Sequence, residues 1–131
     1  MKRSYRNLFV WQASVDLAVR VMSFADRLIE QRRFALADQM VRAALSIPGN
    51  IAEGQGRLTT RDRRHFLSQA RGSLYELETH LEIATRARLL DQPAPLHELT
   101  AKIGSGLSRM IDTLSDQPRT PGVRDSEPQR L

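Results

Sequence analysis

Apolar residues recur every three or four positions through most of the first 115 residues, the spacing of one face of an α-helix. Short polar or proline-containing breaks divide this pattern into four segments. They predict helices over residues 10–30, 34–55, about 59–89 and 96–115. No segment alternates apolar and polar residues as a half-buried strand would. The pattern therefore predicts an all-α protein, an antiparallel up-down-up-down four-helix bundle.

The inward face of helices 2, 3 and 4 is a single row of apolar residues each. The predicted rows are Ala37, Met40, Ala44, Ile47 and Ile51 on helix 2; Phe66, Ala70, Leu74, Leu77, Leu81 and Ala84 on helix 3; and Leu96, Leu99, Ile103, Leu107, Met110 and Leu114 on helix 4.

Helix 1 has a wider apolar face than one bundle core requires. It carries two neighbouring rows: Trp11, Val15, Ala18, Met22, Ala25 and Ile29, and Val10, Leu17, Val21, Phe24 and Leu28. Together they exceed the roughly 100° stripe of a helix that packs on one core. Because a large uncovered apolar face usually marks an interaction site, we expect a second copy of the protein to cover part of it.

Helix 2 contains a strong helix breaker. Pro48 costs roughly 3 kcal/mol inside a helix and Gly49 roughly 1 kcal/mol relative to alanine. The apolar row nevertheless continues through both residues without a change of period. The sequence therefore predicts a helix that is kinked at Pro48 and held by packing against its neighbours. Gly54 near its end and Gly72 in helix 3 are expected to allow close backbone approaches.

The composition limits the class of protein. The 131-residue chain has no cysteine, which excludes disulfides, thiol nucleophiles and thiolate metal sites and fits a reducing cytoplasm. Its longest early apolar run, residues 8–11, is shorter than a signal peptide or a membrane span requires, so we expect a cytoplasmic protein without membrane association. Three prolines and scattered charges predict a disordered tail over residues 117–131, after a bundle domain over residues 1–116.

The net charge of +5 comes almost entirely from arginine, since lysine occurs only at Lys2 and Lys102. Arginine makes planar, bidentate contacts to phosphate, so the excess can indicate nucleic-acid binding. A GC-rich genome would raise the arginine content in the same way. The composition alone leaves both explanations open.

No constellation of residues predicts catalysis or a cofactor. The spacing of Gly49 and Gly54 resembles a phosphate-binding loop, but the lysine and hydroxyl that such a loop needs are missing. Glu76 and His80 are one helical turn apart, yet no second Glu-x-x-His pair accompanies them as a bundle metal site would require. Ser46 and Ser73 have no adjacent base, so they are interpreted as small polar contacts at a tight helix crossing.

Other polar residues of the two central helices are interpreted as structural. Asn50 is expected to satisfy backbone groups freed by Pro48 rather than to touch a substrate. Glu53 and Glu76 are expected to pair with Arg42 or Arg57 in a buried or half-buried polar network. None of these residues is predicted to bind a metal or a cofactor.

The strongest candidate for a binding surface is basic. Between residues 57 and 71 there is a single acid, Asp62, and this stretch includes a helix start, where positive charge opposes the helix dipole. The arginines are Arg57, Arg61, Arg63, Arg64 and Arg71. Solvated surface is the simple interpretation, and contact with phosphates is the functional one. With Phe66 expected to be buried, few aromatics remain to stack bases, which favours backbone contact over single-strand sequence reading.

Two blocks of the chain carry a family resemblance. QMVRAALSIPGNIAEG at residues 39–54 and FLSQARGSLYELE at residues 66–78 resemble the two signatures of the four-helix-bundle proteins encoded in intervening sequences of bacterial 23S ribosomal RNA genes. The resemblance covers about residues 7–115. The residues that carry the motif are Arg42, Ser46, Pro48, Asn50, Glu53, Gly54, Gly72, Ser73 and Glu76.

The resemblance implies a four-helix bundle that forms a ring-like homopentamer. A related branch comprises accessory proteins of diversity-generating retroelements, which bind reverse transcriptase and nucleic acid. It therefore implies a non-enzymatic, oligomeric scaffold that associates with RNA or DNA, with a reverse transcriptase as a possible protein partner. A purely protein-binding scaffold, in which the basic charge is incidental, is the alternative.

Overall fold

A computed structural model describes residues 4–115. After a short 3-10 turn, Tyr5–Asn7, four helices follow in order. They are α1 (Phe9–Glu30), α2 (Phe34–Gln55), α3 (Thr60–Arg86) and α4 (Pro93–Ser115). No strand occurs within residues 4–115, so the predicted all-α class is confirmed. The predicted tail over residues 117–131 lies outside the described residues.

Successive helices run in opposite directions. Between α3 and α4, Thr85 Oγ1 lies 3.2 Å from His97 Nε2, and Arg71 Nη1 donates to Ser108 Oγ at 3.1 Å. Later residues of α3 therefore contact earlier residues of α4, so these two helices are antiparallel. Helix α2 packs on α3 in the same way, since Ser46 contacts Ser73 and Gly54 lies beside Phe66, and α1 packs on both α2 and α4. This arrangement confirms the predicted up-down-up-down bundle.

The core consists largely of the predicted apolar rows. Every residue of the α2 row is at most 2% exposed, as are the α3 row residues from Ala70 to Ala84. Phe66 is half-buried, so the expectation that it is buried is wrong. On α4, Ile103 and Leu107 are fully buried, while Leu99, Met110 and Leu114 pack at the edge of the core.

Helix α1 buries one of its two predicted rows completely. The residues of the row from Val10 to Leu28 are at most 3% exposed. The second row is covered only in part: Ala18 and Ala25 are buried, but Met22 and Ile29 are each 47% exposed. Val19 beside them is 61% exposed. The apolar face of α1 is therefore wider than the part that this fold covers.

The helix ends differ from the prediction where the backbone forms capping turns. Helix α3 stops at Arg86 because Arg88 adopts a left-handed φ of 60° and Leu89 N–H donates to the carbonyl of Ala84. This is the Schellman motif, and Arg32, with φ of 63°, ends α1 in the same way. Helix α4 begins at Pro93, earlier than expected, since proline is favourable in the first helical turn.

Pro48 lies inside α2, which continues as one helix from Phe34 to Gln55, the bounds that the sequence predicts. Asn50 Nδ2 donates to the carbonyl oxygen of Ser46 at 2.9 Å. The carbonyl that loses its helical N–H partner to a proline at position 48 belongs to Ala44. Asn50 therefore hydrogen-bonds to a backbone carbonyl near the proline. That carbonyl belongs to Ser46, however, and not to Ala44, as was expected. The kink remains a prediction.

Candidate nucleic-acid interface and the motif residues

The connection between α2 and α3 is short and internally hydrogen-bonded. Gly56 N–H donates to the carbonyl of Glu53, and Arg57 N–H donates to that of Gly54. On the α3 side, Thr59 caps the helix, since its Oγ1 accepts from Asp62 N–H at 3.1 Å. Thr59 is therefore the N-cap residue of α3.

Two of the five candidate arginines hold this connection together. The guanidinium of Arg57 lies 4.5 Å from the centre of the Phe66 ring, a cation–π contact, and its Nη2 donates to Glu53. Arg63 Nε donates to the carbonyl oxygen of Arg57 at 3.1 Å. Phe66 is half-buried, and the guanidinium of Arg57 lies over its ring. The structure thus brings Arg57 and Arg63 together.

Arg61, Arg63 and Arg64 are exposed at this end of the bundle. Among residues 4–115, no carboxylate lies within 4.0 Å of any of them. Leu58, at the tip of the connection, is 92% exposed beside them. The surface therefore combines three arginines that have no ion-pair partner in the described chain with a protruding apolar side chain.

Arg71 belongs to a different part of the surface. It lies seven residues after Arg64, about 10 Å further along α3. Its side chain is half-buried and donates to Ser108 on α4. Arg71 therefore joins α3 to α4, and the other four arginines form the end of the bundle.

Arg109 was not predicted from the sequence as a candidate site residue. It is exposed on α4 and lines the same cleft as Arg63, although 46 positions separate the two residues. Nothing near Arg109 in the sequence suggests a basic cluster. Only the antiparallel pairing of α3 with α4, which also joins Arg71 to Ser108, brings both arginines to the same cleft.

Ser46 and Ser73 form the polar contact between α2 and α3. Their hydroxyl oxygens are 2.8 Å apart, and Asn50 Nδ2 donates to Ser46 Oγ at 2.9 Å. All three side chains are partly buried. This agrees with the interpretation of the two serines as small polar groups at a helix crossing.

The two motif glycines differ in their surroundings. A Cβ atom added to Gly54 would lie 3.0 Å from Phe66 Cβ and 3.3 Å from the carbonyl oxygen of Arg63, so glycine permits the close approach of α3. A Cβ added to Gly72 would meet no atom within 4 Å in the described chain. The expectation of a close backbone approach is confirmed for Gly54 and is wrong for Gly72 within a single copy.

The predicted charge network forms only at Glu53 and Arg57. Arg42 instead pairs with Asp38 at 3.1 Å, one turn earlier on its own helix. Glu76 lies 3.6 Å from His80 Nε2 and forms no ion pair with an arginine in residues 4–115. Within the same residues, no group of three or more histidine and acidic side chains is placed to hold a metal ion. No helix there is both long and apolar enough to cross a membrane.

Comparison with known proteins places the chain in a family. A model of the 23S rRNA-intervening sequence protein family matches residues 6–112. The chain is also similar to a crystal structure from Bacteroides thetaiotaomicron, described as a protein with unknown function from the S23 ribosomal protein family. That match has a TM-score of 0.75 and 26% sequence identity, and it covers 79% of this chain and 95% of the other. No curated protein matches the chain significantly. The chain belongs to the 23S rRNA-intervening sequence protein family.

Proposed function

We propose that the protein is a non-enzymatic, oligomeric four-helix-bundle scaffold that associates with RNA or DNA through the arginine-rich end of the bundle. The observation that carries the proposal is the placement of Arg61, Arg63 and Arg64, exposed and without a carboxylate within 4.0 Å among residues 4–115. Arginines that form no ion pair at a helix start, where the dipole opposes them, fit an anionic partner.

Contact with the phosphate backbone suits these side chains better than the reading of bases. Guanidinium groups make bidentate hydrogen bonds to phosphate and carry no sequence information when they do so. The one aromatic ring of the cluster, Phe66, is half-buried and has the guanidinium of Arg57 over one face, so it is poorly placed for base stacking. We therefore expect binding with little sequence preference.

Two uncovered apolar strips support assembly into an oligomer. On α1, Val19, Met22 and Ile29 are 47–61% exposed. Helix α4 packs along the flank of α1 that carries Phe24 and Arg27, so Met22 and Ile29 lie on the other flank, toward α2, with Val19 on the outward side beside them.

On α2, Phe34 and Leu45 are 59% and 52% exposed. Helix α3 packs on the flank that carries Ser46 and Asn50, so Phe34 and Leu45 lie toward α1. The strips therefore flank the same α1–α2 groove, which a second copy would cover. The family resemblance makes a pentamer the expected number, and a ring would repeat the arginines and increase affinity by avidity.

A salt titration tests the nucleic-acid role. Replacing Arg61, Arg63 and Arg64 with glutamine should lower the affinity for generic RNA or DNA. Since each phosphate contact releases counterions, the triple variant should also flatten the plot of log affinity against log salt by about 1 for each lost contact. Fluorescence anisotropy at several salt concentrations measures both quantities, and circular dichroism confirms that the variant is folded.

A second triple variant separates a local effect from the loss of net charge. Arg32, Arg33 and Arg88 are exposed at the opposite end of the bundle, so their replacement by glutamine removes the same charge elsewhere. This control should retain most of the affinity. If wild type and both variants have equal affinities and salt slopes, the arginine-rich end is ordinary solvated surface. The exposed apolar strips would then favour a protein-binding scaffold, with a reverse transcriptase among its possible partners.

A further inference from the structure

One cleft in the bundle has an apolar floor and two cationic groups at its rim. It has a volume of about 280 Å³ and lies where the end of α2, the first turns of α3 and the end of α4 meet. Leu67, Met110 and Leu114 form the floor, and Arg63 and Arg109 line the rim. The two arginines come from different helices, so the cleft exists only in the folded bundle.

Within residues 4–115, the terminal nitrogens of both rim arginines have no hydrogen-bond partner. Arg63 uses its Nε for the carbonyl of Arg57, and no hydrogen bond from its two terminal nitrogens is formed within residues 4–115. No carboxylate of the described chain lies within 4.0 Å of Arg63 or Arg109. An apolar floor beside two such groups fits a ligand with a flat, largely apolar body and more than one negative charge.

We propose that this cleft takes up a single unpaired nucleobase of the bound strand, with its flanking phosphates on Arg63 and Arg109. The proposal rests on the proposed nucleic-acid role and adds the structural class of the target. Arg63 belongs to both the arginine-rich end and the cleft rim. A strand whose phosphates follow that end therefore passes the mouth of the cleft.

The size and charge of the cleft select this ligand. Its volume lies just below the about 300–1,000 Å³ of ordinary ligand pockets, so it has room for one ring system and not for a large cofactor. A simple apolar anion such as a fatty acid would use one arginine and leave the other without a role. A base inside a duplex would first have to leave its stack, so a bulged or single-stranded base enters at lower cost.

The test compares two RNA duplexes that differ only by one bulged adenosine. The full-length wild-type protein should bind the bulged duplex about tenfold more tightly, because the bulged base buries apolar surface against Leu67, Met110 and Leu114. Thr113 is an exposed residue that lines the cleft, so Thr113→Trp should fill it without disturbing the core. Thr113→Trp should therefore bind the bulged duplex and the fully paired duplex equally tightly, with the affinity that wild type has for the paired duplex.

Two variants of α4, each lacking one positive charge, show whether the position of Arg109 at the cleft rim is important or only its charge. Arg109→Gln should remove most of the preference for the bulge. Lys102→Gln removes the same charge from an exposed position of the same helix outside the cleft, so it should weaken both duplexes equally and keep the preference. Replacing the bulged adenosine with 2-aminopurine gives a direct signal, because its fluorescence should change on binding to wild type and not to Thr113→Trp.

The outcomes separate this proposal from the one on which it rests. Salt-dependent binding of both duplexes with equal affinity would overturn the cleft proposal and leave the phosphate-binding role standing. A bulge preference that survives in Thr113→Trp would also overturn it, since the base would then be held elsewhere. Failure of wild type to bind either duplex would overturn both proposals. Circular dichroism and light scattering of each variant confirm that fold and assembly are unchanged.

Discussion

The replacement of Gly54 by alanine tests how tightly α2 and α3 are packed. The new methyl group would lie 3.0 Å from Phe66 Cβ and 3.3 Å from the carbonyl oxygen of Arg63. Neither atom is the end of a flexible side chain, so the two helices must move apart. Overpacking of this kind costs about 1–3 kcal/mol, against which the higher helix propensity of alanine contributes about 1 kcal/mol. We expect a net destabilisation of about 1 kcal/mol.

Gly72→Ala is the matched control, because it makes the same chemical change in the neighbouring helix. A methyl group at Gly72 meets no atom within 4 Å of the described chain, and the residue is exposed. Only the higher helix propensity of alanine then affects the stability, so this variant should be more stable than wild type by about 0.5–1 kcal/mol. The two variants should therefore differ by about 2 kcal/mol, with opposite signs relative to wild type.

Urea unfolding followed by circular dichroism measures this difference, and repetition at several protein concentrations detects any contribution from assembly. In thermal unfolding, 1 kcal/mol should correspond to about 4 °C for a domain of this size. If Gly54→Ala is as stable as Gly72→Ala, the contact between α2 and α3 is loose and the reasoning is wrong. A destabilised Gly72→Ala whose difference from wild type disappears on dilution would instead place Gly72 in an interface between copies.

Two further predictions concern the helix crossing and the assembly. Ser46→Ala and Ser73→Ala should each lower the free energy of unfolding by about 1 kcal/mol, because their hydroxyls share a hydrogen bond. A double-mutant cycle should give a coupling energy of at least about 0.5 kcal/mol. Strictly additive effects of the two substitutions would contradict that hydrogen bond. Light scattering at micromolar concentration should give wild type a mass several times the 14.9 kDa of one chain, and the double substitution Met22→Lys and Ile29→Lys should lower it. A wild-type protein that is monomeric throughout that range would refute the proposed use of the α1 strip.

Apolar periodicity was sufficient to predict the fold because each helix packs mainly through one row of residues. The α2 row from Ala37 to Ile51 is fully buried, and the bounds of α2 match the prediction. The helix ends were harder to predict. Arg32 and Arg88 adopt the left-handed conformation that usually marks a glycine, so the residue types gave no sign of the capping turns.

The candidate site was predictable only where its residues are adjacent in sequence. The cluster from Arg57 to Arg64 is visible as a run of charge, but the partner of each side chain depends on how neighbouring helices are aligned. Arg57 covers Phe66 and Arg71 contacts Ser108 because α3 is aligned with α2 and with α4 in a particular register. Sequence spacing within one helix does not determine that register, and Arg109 was missed for the same reason.

The family motif and the arginine-rich end are connected through Gly54. Its missing side chain allows the first turns of α3 to approach α2, and the atoms it approaches belong to Phe66 and Arg63. Those two residues hold Arg57, one through its aromatic ring and the other through a hydrogen bond to the Arg57 carbonyl. A change at Gly54 should therefore shift the arginines as well as lower stability. Binding measurements on Gly54→Ala, made where the protein remains folded, should show weaker RNA affinity although no charge is lost, whereas Gly72→Ala should bind as wild type does.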